Sequence, residues 1–306
     1  NELSFINNVC LNSMRRSIHS KVILNKFAKK KLKTNEFVLL CSAIAQIVYL
    51  NIKPHAVVNE TVNVSKKIKV FPGFINAILK NILKNIHDVK KTEIRLRDFP
   101  EWFVSEIKKT KNINTNDFID TFYKQPDLHI VFKSEKYLKK FSEENTKSST
   151  KSTFLKIQKK INDIENFNKG EWWVQDFSSM LPLAINNKIK NCNILDICAA
   201  PGGKAFQILS DNKVILNDIS KKRIFKLKEN LSRLGFKPKI KNLDALSFDE
   251  KIKYDIVLLD SPCSSIGTIR KHPEILFRSK KPNFTQLNKL QKDLLRKSAN
   301  LVKNKG

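Results

Sequence analysis

Four apolar runs, each closing on an aspartate and separated by helical stretches, constrain this chain more than any other feature. From Gly170 onward the runs NILD, VILND, IKNLD and IVLLD end at Asp196, Asp218, Asp244 and Asp260. Between the second and third, Lys221–Leu234 puts Ile224, Leu227 and Leu231 on one helical face. Strands alternating with helices predict an α/β domain with a parallel sheet, whose ligands sit beyond the carboxyl ends of the strands. Four of the fifteen aspartates stand at those ends, a poor fit to chance. Carboxylates gathered there suit a ligand that offers hydroxyls, an amine and an exocyclic amino group.

The loop after the first run reads CAAPGGK, Cys198 to Lys204. Gly202 and Gly203 allow a tight turn and close approach of a ligand to the backbone before a helix starts. The spacing is neither G-x-G-x-x-G nor a Walker loop, which weakens a nicotinamide or nucleoside-triphosphate reading. A glycine turn followed one helix later by Asp218 matches a carboxylate holding a ribose diol. S-adenosylmethionine, which carries no phosphate, fits a loop without a phosphate cradle.

The fourth run continues as DSPCSSIGTIRKHPEI, residues 260–275. Pro262 fixes the turn and puts Cys263 directly after it, at the cleft. A lone cysteine is commonly a packed small hydrophobe, but the preceding carboxylate and following basic residues favour function. Arg270, Lys271 and His272 are read as RNA-phosphate contacts, against the plainer reading of a solvated basic loop.

The first ninety or so residues read as helices. Phe37–Leu50 is apolar on most faces and predicts a buried helix, residues 55–68 carry a less regular stripe, and Phe74–Ile86 is strictly amphipathic. Residues 89–168 differ in texture. Pro100 opens a short helix, residues 128–133 read as a strand, and Ser134 is placed to cap the next helix. Residues 145–153 read as a polar loop or linker, and the following FLKIQKKI is open between helix and strand. The expected division is a helical domain over 1–88, a small connecting α/β part over 89–168, and the α/β domain over 169–306. With 306 residues the chain needs no disulfide staples, and five cysteines without a C-x-x-C pair exclude a zinc ribbon. The longest apolar stretch is too short to span a bilayer, so a cytoplasmic monomer is expected. The 58 Lys and Arg against 29 Asp and Glu favour a polyanionic partner. Only nine of them are Arg, and a Lys-, Asn- and Ile-rich bias accounts for the excess equally well.

Taken together, VQDFSSML (174–181), DICAAPGGK (196–204), D-I-S-x-x-R (218–223), DSPCSSIGTIRKHP (260–273) and LQKDLLRKSANLVKNKG (290–306) resemble the RsmB/Sun/Nop2 family of RNA cytosine-5 methyltransferases. KPHAVVNETV (53–62) and GFINAILKNIL (73–83) resemble the NusB-like RNA-binding domain of its bacterial 16S rRNA branch, and RLRDFPEWFVSEIKK (95–109) the join between the two. The resemblance implies a Rossmann-like S-adenosylmethionine-dependent methyltransferase domain after an all-α bundle, acting on 16S rRNA at a cytosine of the 967 type. It implies that Cys198, Ala199, Ala200, Pro201, Gly202, Gly203 and Lys204 bind the cofactor by their backbone. Asp218 corresponds to the ribose acid, Asp244 to the acid near adenine, and Asp260 to an acid between the methionine end and the cytosine. Cys263 corresponds to a cysteine that assists product release. No metal is implied.

In such chemistry a thiolate adds to cytosine C6 so that C5 becomes nucleophilic, and the base must leave its stack. The family's attacking cysteine lies in a later Thr-Cys-Ser motif, so the expectation is a chain truncated at its C-terminus, with an incomplete sheet and no turnover. Ala205 stands where the family has Thr, and Ser265 where it has Gly. Two alternatives are carried: Cys263 as the nucleophile, and a noncatalytic RNA-binding factor of ribosome assembly or antitermination. Cys10, Cys41 and Cys192 are expected to pack, as are Trp172 and Trp173. His19, His55, His87 and His129 show no ligand spacing.

Overall fold

The computed structural model describes residues 2–110, 113–156, 160–185, 189–278 and 281–304. By contacts the chain divides into a unit of Asn1–Pro126 with Ser265–Lys281 and a unit of Asp127–Ser264 with Pro282–Gly306. Residues 89–168 are thus shared between the two, and seventeen residues downstream of Cys263 belong to the first.

The first unit is helical: α1 (Glu2–Arg15), α2 (Ser17–Phe27), α3 (Thr34–Ile44), α4 (Pro54–Lys67), α5 (Pro72–Lys84), α6 (Ile86–Lys90), α7 (Glu101–Lys109) and α8 (Thr115–Tyr123). The run at 37–50 is helical in two registers, since α3 widens into a π-helical turn at Ala45–Tyr49. Pro72 occupies the first turn of α5, where no amide hydrogen is needed. Ile75, Ile78, Leu79 and Ile82 of that helix are buried against Leu40, Ile44 and Val57, as the periodicity predicts.

A second cluster holds Phe99, Phe103, Ile119 and Phe122 together with Ile269, Ile275 and Leu276. The segment 265–281 is held there by polar contacts as well. Arg15 Nη2 donates to the carbonyl of Arg270 (3.1 Å) and Arg270 Nε to that of Lys124 (3.4 Å), while Lys281 pairs with Glu106 (2.5 Å).

The second unit contains two sheets. Strands β1 (Leu128–Phe132), β2 (Asn145–Ser149), β3 (Ser152–Leu155) and β4 (Trp172–Val174) form an antiparallel sheet in the order β2-β3-β1-β4, with α9 (Glu135–Lys140) after β1. Residues 145–153, expected as a polar loop, are instead a hairpin. Its Ser and Thr side chains find partners across the sheet: Ser148 Oγ bonds His129 Nε2 (2.9 Å) and Ser152 Oγ (2.8 Å), and Thr153 Oγ1 donates to Asn145 Oδ1 (2.8 Å). The open FLKIQKKI stretch ends β3 at Leu155, and residues 157–159 lie outside the described residues. Ser134 sits at the N-cap position of α9 but makes no side-chain capping bond.

The parallel sheet follows the sequence reading closely. Strands β5 (Asn193–Asp196), β6 (Lys213–Asn217), β7 (Lys239–Lys241) and β8 (Ile256–Leu258) lie in the order β7-β6-β5-β8. The remaining helices are α10 (Phe177–Ala184), α11 (Gly203–Phe206), α12 (Lys221–Leu234) and α13 (Phe284–Leu301). Helix α12 has the bounds expected for local reasons: Ser220 Oγ accepts from the amide of Arg223, and Gly235 closes the helix at φ 72°. Trp172 and Trp173 are buried, each indole N–H satisfied, by the carbonyl of Glu165 and by Gln175 Oε1. Cys41 is buried and Cys192 half-buried, but Cys10 is exposed on α1 and does not pack. Among the described residues no helix is long and apolar enough to cross a membrane.

Candidate active site

The turn between β5 and α11 is built by the backbone it touches. The amide of Ile197 donates to Leu258 of β8 (3.0 Å) and that of Ala199 to Asn217 of β6 (2.8 Å), so the loop is pinned to both neighbouring strands. The Ala200–Pro201 peptide is cis. Gly202 has φ 113°, and a Cβ there would lie 2.1 Å from Phe206 Cζ and 2.8 Å from Leu227 Cδ1. Gly202→Ala is therefore expected to cost about 2–4 kcal/mol, from overpacking plus an unfavourable φ. A denaturant titration checks this.

Cys198, Ala199, Ala200, Pro201, Gly203, Lys204 and Asp260 line one cleft of about 480 Å³. Asp196, Gln175 and Asp176 line it too, as do Lys226, Asn230, Arg233 and Phe167. Lys204 Nζ reaches Asp260 Oδ2 at 2.5 Å, tying the glycine turn to the end of β8. Gly202, Asp218, Asp244 and Cys263 are not among the lining residues. Arg270, Lys271 and His272 belong to the helical unit, where His272 Nδ1 lies 3.0 Å from Glu274 Oε1.

Asp218 is 1% exposed and already engaged. One oxygen accepts from the amide of Ser220 (2.8 Å) and pairs with Arg223 (3.0 Å), and the other accepts from the amide of Ala200 (3.3 Å). In this arrangement it braces the turn. Asp244 is exposed and caps the short turn at Ala245–Ser247 through the amide of Leu246 (3.0 Å).

Sequence reading counts Asp196 among the strand-end acids that suit a ligand but gives it no role of its own. It is 1% exposed, lines the cleft, and its Oδ1 has no hydrogen-bond partner among the described residues. Burial pushes its carboxyl up to about 8, with the amide of Cys198 opposing and the charge of Asp260 adding. The same burial, with Asp196 and Asp218 nearby, pushes the Cys198 thiol up to about 11. Cys198 is thus a neutral thiol near pH 7 and no nucleophile. Cys263, by contrast, is exposed. Among the described residues no three His, Cys, Asp or Glu side chains gather as metal ligands.

A parallel sheet with a glycine turn after its first strand and acids at its strand ends is a Rossmann-like arrangement, with its ligand cleft at the carboxyl ends of the strands. Residues 182–306 match the family profile described as 16S rRNA methyltransferase RsmB/F, and residues 1–84 match the NusB family. The carboxyl-terminal part of the chain is therefore similar to the RsmB/F methyltransferases and its amino-terminal part to NusB proteins.

Ribosomal RNA small subunit methyltransferase B of Photorhabdus laumondii is 29% identical over 297 residues, covering 89% of this chain and 69% of its own. The Coxiella burnetii protein named probable ribosomal RNA small subunit methyltransferase B is 27% identical over 324 residues, covering 95% and 75%. Among solved structures, PH0851 superimposes with a TM-score of 0.72 at 21% identity, covering 98% of this chain and 74% of its own. A methyltransferase homologue from Pyrococcus horikoshii gives 0.57 at 22% identity, covering 68% and 71%. Both likenesses speak for the fold.

The cleft suits the cofactor. S-adenosylmethionine has an ammonium and a sulfonium at its methionine end, and the unpartnered buried Asp196 oxygen offers such a cation an acceptor.

Proposed function

We propose that this protein transfers a methyl group to C5 of a cytosine in 16S ribosomal RNA, in the cytoplasm, at a site of the cytosine-967 type. The observation that carries the reading is the Lys204–Asp260 pair in the cleft, two residues before Pro262 and three before Cys263. A carboxylate is an acceptor for the N3–H/N4–H edge of a cytosine whose ring has gained electron density, and the ammonium beside it fixes where that carboxylate stands. When bound, S-adenosylmethionine supplies the methyl group.

In this reading Cys198, Ala199, Ala200, Pro201, Gly202, Gly203 and Lys204 hold the cofactor through the shape of their backbone. Asp196 accepts from its cationic end, and Asp218 keeps the turn in place by accepting from the amide of Ala200. Asp244, exposed beyond β7, is left to contact the adenine. Cys263 acts on the adduct of the base, which must be unstacked to enter. Arg270, Lys271 and His272 contribute to RNA contact from the helical unit, and the NusB-type domain supplies further basic surface.

The test is binding rather than turnover: calorimetry with S-adenosylmethionine, then crosslinking of the cofactor-bound chain to 16S rRNA. Cofactor binding and a crosslink at a cytosine of the 967 type are expected, and a chain that binds no cofactor, or crosslinks only elsewhere, overturns the reading. Asp218→Ala leaves the amide of Ala200 without its acceptor and is expected to weaken cofactor binding at least roughly tenfold. Calorimetry checks this independently of turnover.

A further inference from the structure

One arm of the cleft, its α12 side, is lined by residues that the reading above leaves without a role. Past Pro201, whose carbonyl accepts from Asn230 Nδ2 (3.3 Å), it is lined by Lys226, Asn230 and Arg233 of α12 and by Phe167. The three helix residues stand at i, i+4 and i+7, one stripe beside the buried Ile224, Leu227, Leu231 and Leu234. Arg233 is locked in place. Its Nη1 donates to the carbonyls of Phe167 (2.8 Å) and Trp172 (3.0 Å), and its guanidinium lies 4.0 Å over the Phe167 ring.

Its charge is nevertheless unmatched. No carboxylate bonds to it, and its Nε is buried without a hydrogen-bond partner among the described residues. Lys226 adds a second cation, which pairs with Glu229 (2.9 Å) in an exposed contact that is worth little and easily exchanged. The one anion of S-adenosylmethionine, its methionine carboxylate, shares a carbon with the ammonium given to Asp196 above, which leaves the cations of α12 to another anion, and a phosphodiester suits two cations and an amide donor.

We propose that this arm is a subsite for the backbone phosphate of a nucleotide next to the target base, so that α12 guides the RNA strand toward Asp260. The inference rests on the RNA-methyltransferase reading above. Lys226 supplies the exchangeable cation and Asn230 a neutral donor, while Arg233 fixes the local potential without moving.

The experiment measures binding of a fluorescent single-stranded RNA oligonucleotide to the full chain at several salt concentrations. It compares Lys226→Gln with Lys228→Gln, which alters an exposed lysine on the opposite side of the same helix. Lys226→Gln is expected to weaken RNA binding roughly three- to tenfold and to lower the slope of log affinity against log salt by about 0.7. Lys228→Gln is expected to change neither, and calorimetry with S-adenosylmethionine should give the native affinity for both variants. Equal effects of the two substitutions, or none, overturn the subsite. Loss of cofactor affinity in Lys226→Gln also overturns it, by assigning the arm to the cofactor. Failure of the native chain to bind RNA at any salt concentration sinks the RNA reading first, and the subsite with it.

Discussion

Asp196→Asn is expected to make the protein more stable at pH 8–9 while weakening S-adenosylmethionine binding at least roughly tenfold, since a buried acceptor for a cation is lost. The two effects share one cause. In the folded chain the Asp196 carboxyl holds its proton up to about 8, because ionisation would leave a charge 1% exposed with one oxygen unpartnered. In the unfolded chain the proton leaves near the ordinary aspartate value of about 4. Over the interval between, the unfolded state binds fewer protons, so the contribution of this group to stability falls as pH rises. Above about 8 both states are ionised and the loss levels off.

Asparagine has no proton to lose, so the difference in melting temperature between variant and native protein should grow from pH 5 to pH 8 and then hold. A gain of about 1–3 kcal/mol at pH 9 is the scale of an unsatisfied buried polar group. If native and variant melting temperatures run parallel across that interval, Asp196 is not held neutral and this account is wrong. A cationic ligand reverses the preference by supplying the missing partner, so cofactor binding to the native protein should release protons, measurable as a buffer-dependent heat.

Gly170→Ala is expected to be the most damaging single methyl addition in the unit that carries the parallel sheet. Gly170 has φ 66°, and a Cβ there would lie 1.9 Å from the carbonyl oxygen of Arg233 and 3.0 Å from Leu234 Cα. Those atoms are backbone at the end of α12, so no side chain can swing aside. The left-handed φ costs roughly 1–2 kcal/mol and the clash roughly 1–3 more, about 3 kcal/mol or above in sum. A fall in the denaturant midpoint with an unchanged slope would show it. Because Glu171, Trp172 and Trp173 follow directly, the displaced segment carries β4 and the Phe167–Arg233 stack with it.

Which parts of this molecule were legible depended on where their partners lie. Helix α12 and the four parallel strands were readable because their signals are local: Ser220 and Gly235 bound the helix, and short apolar runs end at acids. The glycine turn was readable because its residue types are demanded by backbone shape. The hairpin at Asn145–Leu155 was not, since its serines and threonines are satisfied by His129 and by one another across the sheet, and no apolar alternation announces it. Asp196 looked like the other strand-end acids, and only burial sets it apart. Lys226, Asn230 and Arg233 carry a faint signal in their i, i+4, i+7 spacing, which a solvated face would show equally well. Ser265 has φ 60°, the left-handed conformation that glycine adopts at less cost.

The excursion of residues 265–281 into the aromatic cluster of the helical unit has a practical consequence. The polypeptide leaves one folding unit two residues after Cys263 and rejoins it at Pro282, so no single cleavage point separates the two halves. A fragment made by deleting the first 126 residues would bare Ile269, Ile275 and Leu276, and the amino-terminal piece made the same way would lack three members of its own interior. Dissection should succeed only as a split design, with a short flexible bridge joining Ser264 to Pro282 in one fragment and the excised peptide returned in trans to the other.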